Sequence, residues 1–353
     1  MSAEAPSVEP VRMGILHDRA QPDSGARFQR VLQLGIDEIA GSGRLDRPIE
    51  WVQAIGPGLP QGSARAVENA FAELDEQGVL AIAGPAISDN GLIARELADR
   101  ARIPCINYTG GEQTRSEWMF HYQVGSLEDE PGVLAAHLVS RGLSSAAVIQ
   151  DRSPIGERYA DFFEQACGML SIELVGRSVV SPVAEDLAAS VERLRAAEPE
   201  ALVYLGLGLS AFPVGRALAD SGWRVPVVAN SALMFGYIQT DWARLWEGWV
   251  YADAVAEGNA RLTALRAQLG GSAGPGDAAA CDIGRLLAEG LARAPHLTRE
   301  GMRDGLERTK QLPASIGRQG TTMGFGQWER SALKGEFLVL RSWRDGQSVE
   351  LGA

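Results

Sequence analysis

"VLAIAGPAISDNGLIARELADRARIPCINYTGG" (residues 79–111) carries three structural periods in succession. Residues 79–85 are an apolar run of strand length that ends at Gly84-Pro85, a pair that breaks regular structure. After Ser88 and Asp89, apolar residues recur at helical spacing as far as Ile103, and "PCINYT" (104–109) is a second short apolar run. Strand, helix and strand within so short a stretch imply a crossover between parallel strands. The turn before the helix places Ser88 and Asp89 where the first helical N–H groups are unpaired and the partial positive end of the helix favours an anion.

The same alternation extends in both directions. Upstream, "VRMGILHD" (11–18) and "IEWVQAI" (49–55) read as strands, with helices at 25–43 and 62–78. Downstream of "MFHYQVGSLEDEPG" a second series begins. Strands are expected at 145–152, 172–180, 200–208 and 225–231, with helices at 156–170, 185–199 and 210–222 between them. The last third departs from this rhythm. A strand, "GWVYADAV", is followed by helical patterns at 259–270, 276–294 and 298–312, then by a hairpin-like pair, "TTMGFGQWE" and "GEFLVLRSW". Two α/β series of like length suggest two similar lobes, and the mixed tail suggests a chain that crosses back between them.

Composition narrows the function. The chain has 353 residues, far above the roughly 150 usual for one domain. Its formal charge of −12 argues against a nucleic-acid partner, since phosphate binding depends on Lys and Arg. Cys105, Cys167 and Cys281 lie far apart, with no spacing suited to zinc or to a disulfide framework. No apolar window is long enough to span a bilayer, so membrane insertion is not expected. The start, "MSAEAPSVEPVRMG", has neither a basic nor an apolar leader region. As written, the chain is expected in the cytoplasm, or outside it if a leader was removed.

The order of elements resembles the type I periplasmic binding proteins, in particular the receptors for leucine, isoleucine and valine and their relatives for amides and aromatic acids. The matching pieces are "GILHDRA…GARFQRVLQLGIDEIAGSG", "AIAGPAISD", "IPCINYTGG", "AAVIQDRSPIGERYADFFEQAC", "ALVYLGLG", "VPVVANSAL" and "GQWERSALKGEFLVLRSW". The resemblance implies an α/β fold of two Rossmann-like lobes with parallel sheets, joined by a hinge of three crossovers. Lobe 1 would be residues 11–125 plus 253–325, and lobe 2 residues 126–252 plus 326–353, after a disordered tail at 1–10.

The resemblance also implies a ligand site. A serine after the third strand hydrogen-bonds the ligand carboxylate in such proteins, and Ser88 matches it, with Ile87 beside it. On local sequence Ser88 is equally suited to be a helix cap, and the two roles can coexist. Thr109 and Gly111 fall where relatives offer an amide and a hydroxyl to the same carboxylate, so one hydroxyl is replaced by bare glycine. Ile155 stands where relatives often carry an aromatic residue. Ser231, or Asn230 if the alignment slips by one, stands where amino-acid binders carry an acid for the ligand's ammonium group. Cys281-Asp282 replaces a Tyr-Asp pair, and Gly208 and Asp282 complete the candidate contacts. The loop 17–25 could add Ser24, His17 or Arg19. With the acid absent from position 231, the site reads as half of an amino-acid site, which favours an uncharged or acidic ligand over a plain α-amino acid.

Enzyme motifs lack their structural context. "GGSAG" (270–274) fits G-x-S-x-G, but it follows a helix rather than a strand and reads as a loop. "GLGLSA" (206–211) has two glycines of a dinucleotide fingerprint, too late in the chain and without the third. The trio Glu128-Asp129-Glu130 reads as the acidic start of a helix, and Trp242, Trp246 and Trp249 as a packed stripe. No cofactor, metal or catalytic residue is expected. The expectation is a solute receptor that closes on a small organic ligand by hinge motion, serving an ABC permease. The alternatives are a cytosolic sensor like the amide receptor, acting on a regulatory protein, and, more remotely, an NAD-type enzyme.

Overall fold

The computed structural model describes residues 9–19, 22–45, 47–271 and 273–352, without the side chains of residues 22–24. Most of the expected tail, the side chain of Ser24 and Ser272 of the glycine-rich loop lie outside the described residues.

The first sheet holds β1 (Val11–His17), β2 (Ile49–Ile55), β3 (Ile82–Ala83), β4 (Cys105–Asn107) and β5 (Met119–His121), all parallel, in the order β2-β1-β3-β4-β5. Helices α1 (Pro22–Gly41), α2 (Ala64–Glu76) and α3 (Ser88–Ala101) make the crossovers. A parallel sheet covered on both faces needs apolar side chains on both, and β1 supplies them. Met13 and Ile15 enter a core with Val31 and Leu32 of α1, while Leu16 enters another with Phe71 and Leu74 of α2.

The second lobe repeats the scheme. Its elements are α4 (Glu130–Ser140), β6 (Ser145–Asp151), α5 (Pro154–Leu170), β7 (Glu173–Val180), α6 (Ala188–Arg195), β8 (Ala201–Leu205), α7 (Ala211–Ser221), β9 (Val227–Ala229), α8 (Thr240–Leu245) and β10 (Val250–Asp253). Strand β6 alternates as β1 does. Ala147 and Ile149 face one core and Ala146 and Val148 the other. The expected tryptophan stripe is packed, with Trp246 and Trp249 buried beside Tyr251.

After β10 the chain returns to the first lobe through α9 (Ala260–Gln268), α10 (Pro275–Arg293) and α11 (Arg299–Glu307). Helices α1 and α10 cross in near-contact. A Cβ on Gly284 would lie 2.1 Å from the Leu32 carbonyl oxygen, and one on Gly35 2.0 Å from that of Cys281. No side chain fits between the two backbones there.

The tail corrects two expectations. "TTMGFGQWE" and "GEFLVLRSW" do not form a hairpin with each other. Instead β11 (Leu312–Pro313), β12 (Thr322–Met323) and β13 (Leu333–Lys334) make a small antiparallel sheet on lobe 1. Strand β14 (Val339–Arg344) then pairs with β10 and with β15 (Gln347–Glu350), closing the second sheet in the order β15-β14-β10-β9-β8-β6-β7. The last crossing therefore falls after Lys334, not after residue 325. Ala332 and Leu333 are buried in the core of lobe 1, and Ser331 bridges His121 at the end of β5. That burial holds the segment to the first lobe. No described helix is long and apolar enough to cross a membrane.

Candidate functional site

The C-terminal ends of β1, β3 and β4 bring three loops together, and such strand ends are where open α/β sheets bind ligands. Asp18, just past β1, organises them. Its buried carboxylate accepts from the N–H groups of Ala86 at 3.0 Å and Ile87 at 2.9 Å, and from the Asn90 amide at 2.9 Å. The cap position of α3 is Ile87, which offers no side-chain cap, and Ser88 is the first helical residue. Ser88 therefore does not cap α3, and Asp18 pins the two residues that lead into the helix. The Ser88 hydroxyl instead accepts from the Gly110 N–H at 3.3 Å, at the edge of the loop after β4.

Around that hydroxyl the two lobes meet. A Cβ on Gly111 would lie 3.3 Å from Ile155 Cδ1 and 3.4 Å from Ser88 Cβ. A Cβ on Gly110 would lie 3.3 Å from the Tyr159 hydroxyl. Both Ile155 and Tyr159 belong to α5 of lobe 2, whose N-terminus Ser153 caps by accepting from the Gly156 N–H at 3.0 Å. The carboxylate of Asp89, in the first turn of α3, faces the Ile155 N–H. Burial, opposed by that N–H and reinforced by the charge of Asp151, pushes the Asp89 carboxyl up to about 6.

Glu130 stands at the first crossing between lobes. It accepts from the N–H groups of Ser126 and Ser231, each at 2.7 Å, with the hydroxyls of Ser231 and Tyr159 beside it. Burial raises its carboxyl to about 7 against those four donors. Its role exceeds the helix-start reading, because it ties the crossing segment to the loop after β9. Ser231 is thus held beside a buried acid, although it carries no acid itself.

Ser88, Ile87, Gly111, Ile155 and Ser231 lie on or beside this junction. Three other candidates do not present their groups to it. The hydroxyl of Thr109 is buried inside lobe 1, donating to Asn107 Oδ1 at 2.9 Å, because Asn107, Thr114 and His121 form a polar cluster beneath the loop. Gly208 donates its N–H to the Tyr204 hydroxyl at 3.0 Å and is packed beneath Phe235. Asp282 is fully buried in α10. It accepts from the Tyr122 hydroxyl at 2.6 Å, the Ser315 N–H at 2.6 Å and hydroxyl at 2.8 Å, and Arg285 at 3.1 Å. That network leaves it nothing to offer a ligand. The sequence reading missed the roles of Asp18, Glu130 and Tyr159. Only Asp18, next to the strand end in the loop after β1, carried a positional signal.

Among the described residues no group of His, Cys, Asp and Glu could hold a metal ion. The arrangement instead offers a hydroxyl, loop amides and a helix N-terminus on one lobe, closed over by an apolar and phenolic wall from the other.

Similar proteins share this fold. The structure superposes on the periplasmic binding protein type 1 from Bordetella pertussis Tohama I with a TM-score of 0.82, at 15% identity over 98% of this chain and 100% of that one. The leucine binding protein of Thermotoga maritima gives a TM-score of 0.81, at 15% identity over 97% of this chain and 98% of that one. An ABC transporter substrate-binding protein from Desulfitobacterium hafniense, in complex with Leu, gives 0.77 at 19% identity, covering 97% of this chain and 100% of that one. An amino acid binding protein of Pseudomonas aeruginosa is 25% identical over 229 residues, which span 64% of this chain and 60% of that relative's length. The sequence profile of the periplasmic binding proteins matches residues 10–333, so the chain belongs to the type I periplasmic binding protein family of solute-binding proteins.

Proposed function

We propose that the chain is a non-catalytic receptor that closes its two lobes on a small carboxylate- or amide-bearing solute and presents it to an ABC permease. The observation that carries this reading is Ser88. Ser88 is the first residue of α3 and not its cap, and its hydroxyl lies at the open end of the helix, beside the Gly110 amide and under Ile155 of the other lobe. A ligand carboxylate there meets a hydroxyl donor, a loop N–H and the positive end of a helix. Selectivity then comes from matching every polar group that closure buries, with no bond made or broken. Contacts made only in the closed form shift the population towards it. The relatives named above as amino acid, leucine and ABC transporter substrate-binding proteins support the solute class.

The test is a thermal-shift screen over amino acids, amides, and aliphatic and aromatic acids, followed by calorimetry of each hit on wild type and Ser88→Ala. A ligand at 100 times its Kd adds about 2.7 kcal/mol of stability. Removing the hydroxyl should weaken a carboxylate ligand by about 1–3 kcal/mol. Unchanged affinity in Ser88→Ala would refute Ser88 as the carboxylate seat.

A further inference from the structure

Seven acidic side chains among the described residues are buried: Asp18, Asp89, Glu130, Asp151, Asp253, Asp282 and Glu289. Five of them are hydrogen-bonded at both carboxylate oxygens, and Glu289 is held by cations alone. Asp18, Glu130 and Asp282 hold the donors named above. Asp151 binds the Leu207 N–H and the Ser210 hydroxyl, and Asp253 the N–H groups of Ala254 and Val255 and the Tyr237 hydroxyl. Glu289 is ion-paired with Arg44 and Arg293. Asp89 is different. It is 5% exposed, its Oδ1 is buried without a hydrogen-bond partner, and among the described residues no Arg or Lys pairs with it.

Its surroundings deepen the contrast. The neighbours of the Asp89 carboxylate come from the opposite lobe: the Ile155 N–H, which orients it, and the negative charge of Asp151. A buried carboxylate with a bare oxygen is costly, and a second acid nearby makes it more so. Such an arrangement is balanced when a cation enters. Asp89 also follows Ser88 directly in the first turn of α3, and Ile155, whose N–H faces Asp89, is also the residue packed over Gly111 and Ser88.

We propose that Asp89 is the acceptor for a primary ammonium group on the ligand, so that the cleft selects solutes carrying both an amine and a carboxylate. The inference rests on the solute-receptor reading and deepens it. The amine would donate to Asp89 Oδ1, which lacks any other donor, while the ligand carboxylate sits at Ser88. Position 231 lacks an acid, but the site does not, because lobe 1 provides one. Closure brings the Ile155 N–H to the carboxylate and so fixes the direction in which the bare oxygen points.

The experiment compares matched probes on wild type and Asp89→Asn: the common L-amino acids, and for each side chain the carboxylic acid that lacks the 2-amino group. In wild type an amino acid should bind more tightly than its deaminated partner. In Asp89→Asn the amino acid should weaken roughly 10- to 150-fold, the span of a hydrogen bond to a charged group, with the deaminated acid unchanged. Equal binding of both partners by wild type overturns the proposal. So does an equal loss for both in the variant, which would make Asp89 a latch between lobes. A ligand-free melt gives an independent reading. Asn keeps an acceptor for Ile155 and removes an unbalanced charge, so its melting temperature should equal or exceed that of wild type. A marked drop would show a structural acid and overturn the proposal. If no probe of either kind raises any melting temperature, the solute-receptor reading itself fails, and the ligand-free melt still decides whether Asp89 is structural.

Discussion

Replacing Glu130 by Gln should remove a pH-dependent component of stability whose size and sign follow from the structure. The carboxyl is fully buried, and burial raises it from an ordinary 4.5 to about 7 despite donors from Ser126, Ser231 and Tyr159. The native side chain therefore keeps its proton over a window in which the unfolded chain has already released it. Because the native state binds more protons between pH 4.5 and about 7, stability must fall as pH rises through that window. The slope can reach about 1.4 kcal/mol per pH unit, and the whole window is worth about 3 kcal/mol. Below pH 4.5 both states are protonated and the penalty vanishes; above about 7 it is present in full. Gln cannot titrate. Its amide sets a donor against one of the two N–H groups at 2.7 Å, an offset of about 1–3 kcal/mol that does not vary with pH. Urea unfolding of wild type and Glu130→Gln, at intervals from acid to slightly alkaline pH, isolates the titration. The difference should move in favour of Gln by about 3 kcal/mol across the window. A difference that stays constant would show that Glu130 titrates alike in both states, and the account of a buried crossing residue that holds its proton up to about pH 7 would be wrong.

Asp282→Asn should lower stability by about 3–5 kcal/mol, since Arg285 would lose its buried partner, while ligand affinity of the folded fraction is unchanged. Chemical denaturation with calorimetry checks both, and a selective loss of affinity would return Asp282 to the site. Gly284→Ala should cost about 1–3 kcal/mol, because its Cβ meets the Leu32 carbonyl oxygen at 2.1 Å and helices α1 and α10 must separate. An unchanged denaturation midpoint would refute the tight crossing. Tyr159→Phe should lower stability by about 1 kcal/mol through loss of its hydroxyl at Glu130. It should also move the Glu130 titration upward, read as a shift of the pH window above, and an unmoved window would place the hydroxyl elsewhere.

The alternation of periods made both lobes legible, because a parallel sheet needs short apolar strands and long amphipathic helices in turn. The segments read at 11–18 and 49–55 are β1 and β2, nearly to the residue. The tail was not legible for a physical reason. Leu312–Pro313, Thr322–Met323 and Leu333–Lys334 are strands two residues long, too short for any period, and their pairing is set by burial against lobe 1. In the site, the helix end at Ser88 was legible. What surrounds it was not, since Asp18, far away in sequence, fixes the approach to the helix by accepting from the N–H groups of Ala86 and Ile87. The same limit explains Asp282 and Thr109. Each has the right residue type at a plausible place, but each is turned inward by partners that only the fold assembles.

Asp89 shows the limit from the other side. Acids in the first turn of a helix are common because the helix end stabilises them, so the sequence gives no reason to single this one out. What distinguishes it is an imbalance: six of the seven buried acids among the described residues have donors or cations enough, and Asp89 has an oxygen with none. Absence of a partner cannot be read from residue spacing, because it is a property of everything packed around the group. A receptor must keep such an imbalance in its empty form, since a polar group already satisfied within the protein gains little from a ligand. The unpaired oxygen, more than the hydrogen-bonded serine beside it, is therefore the feature that most narrows which solute fits.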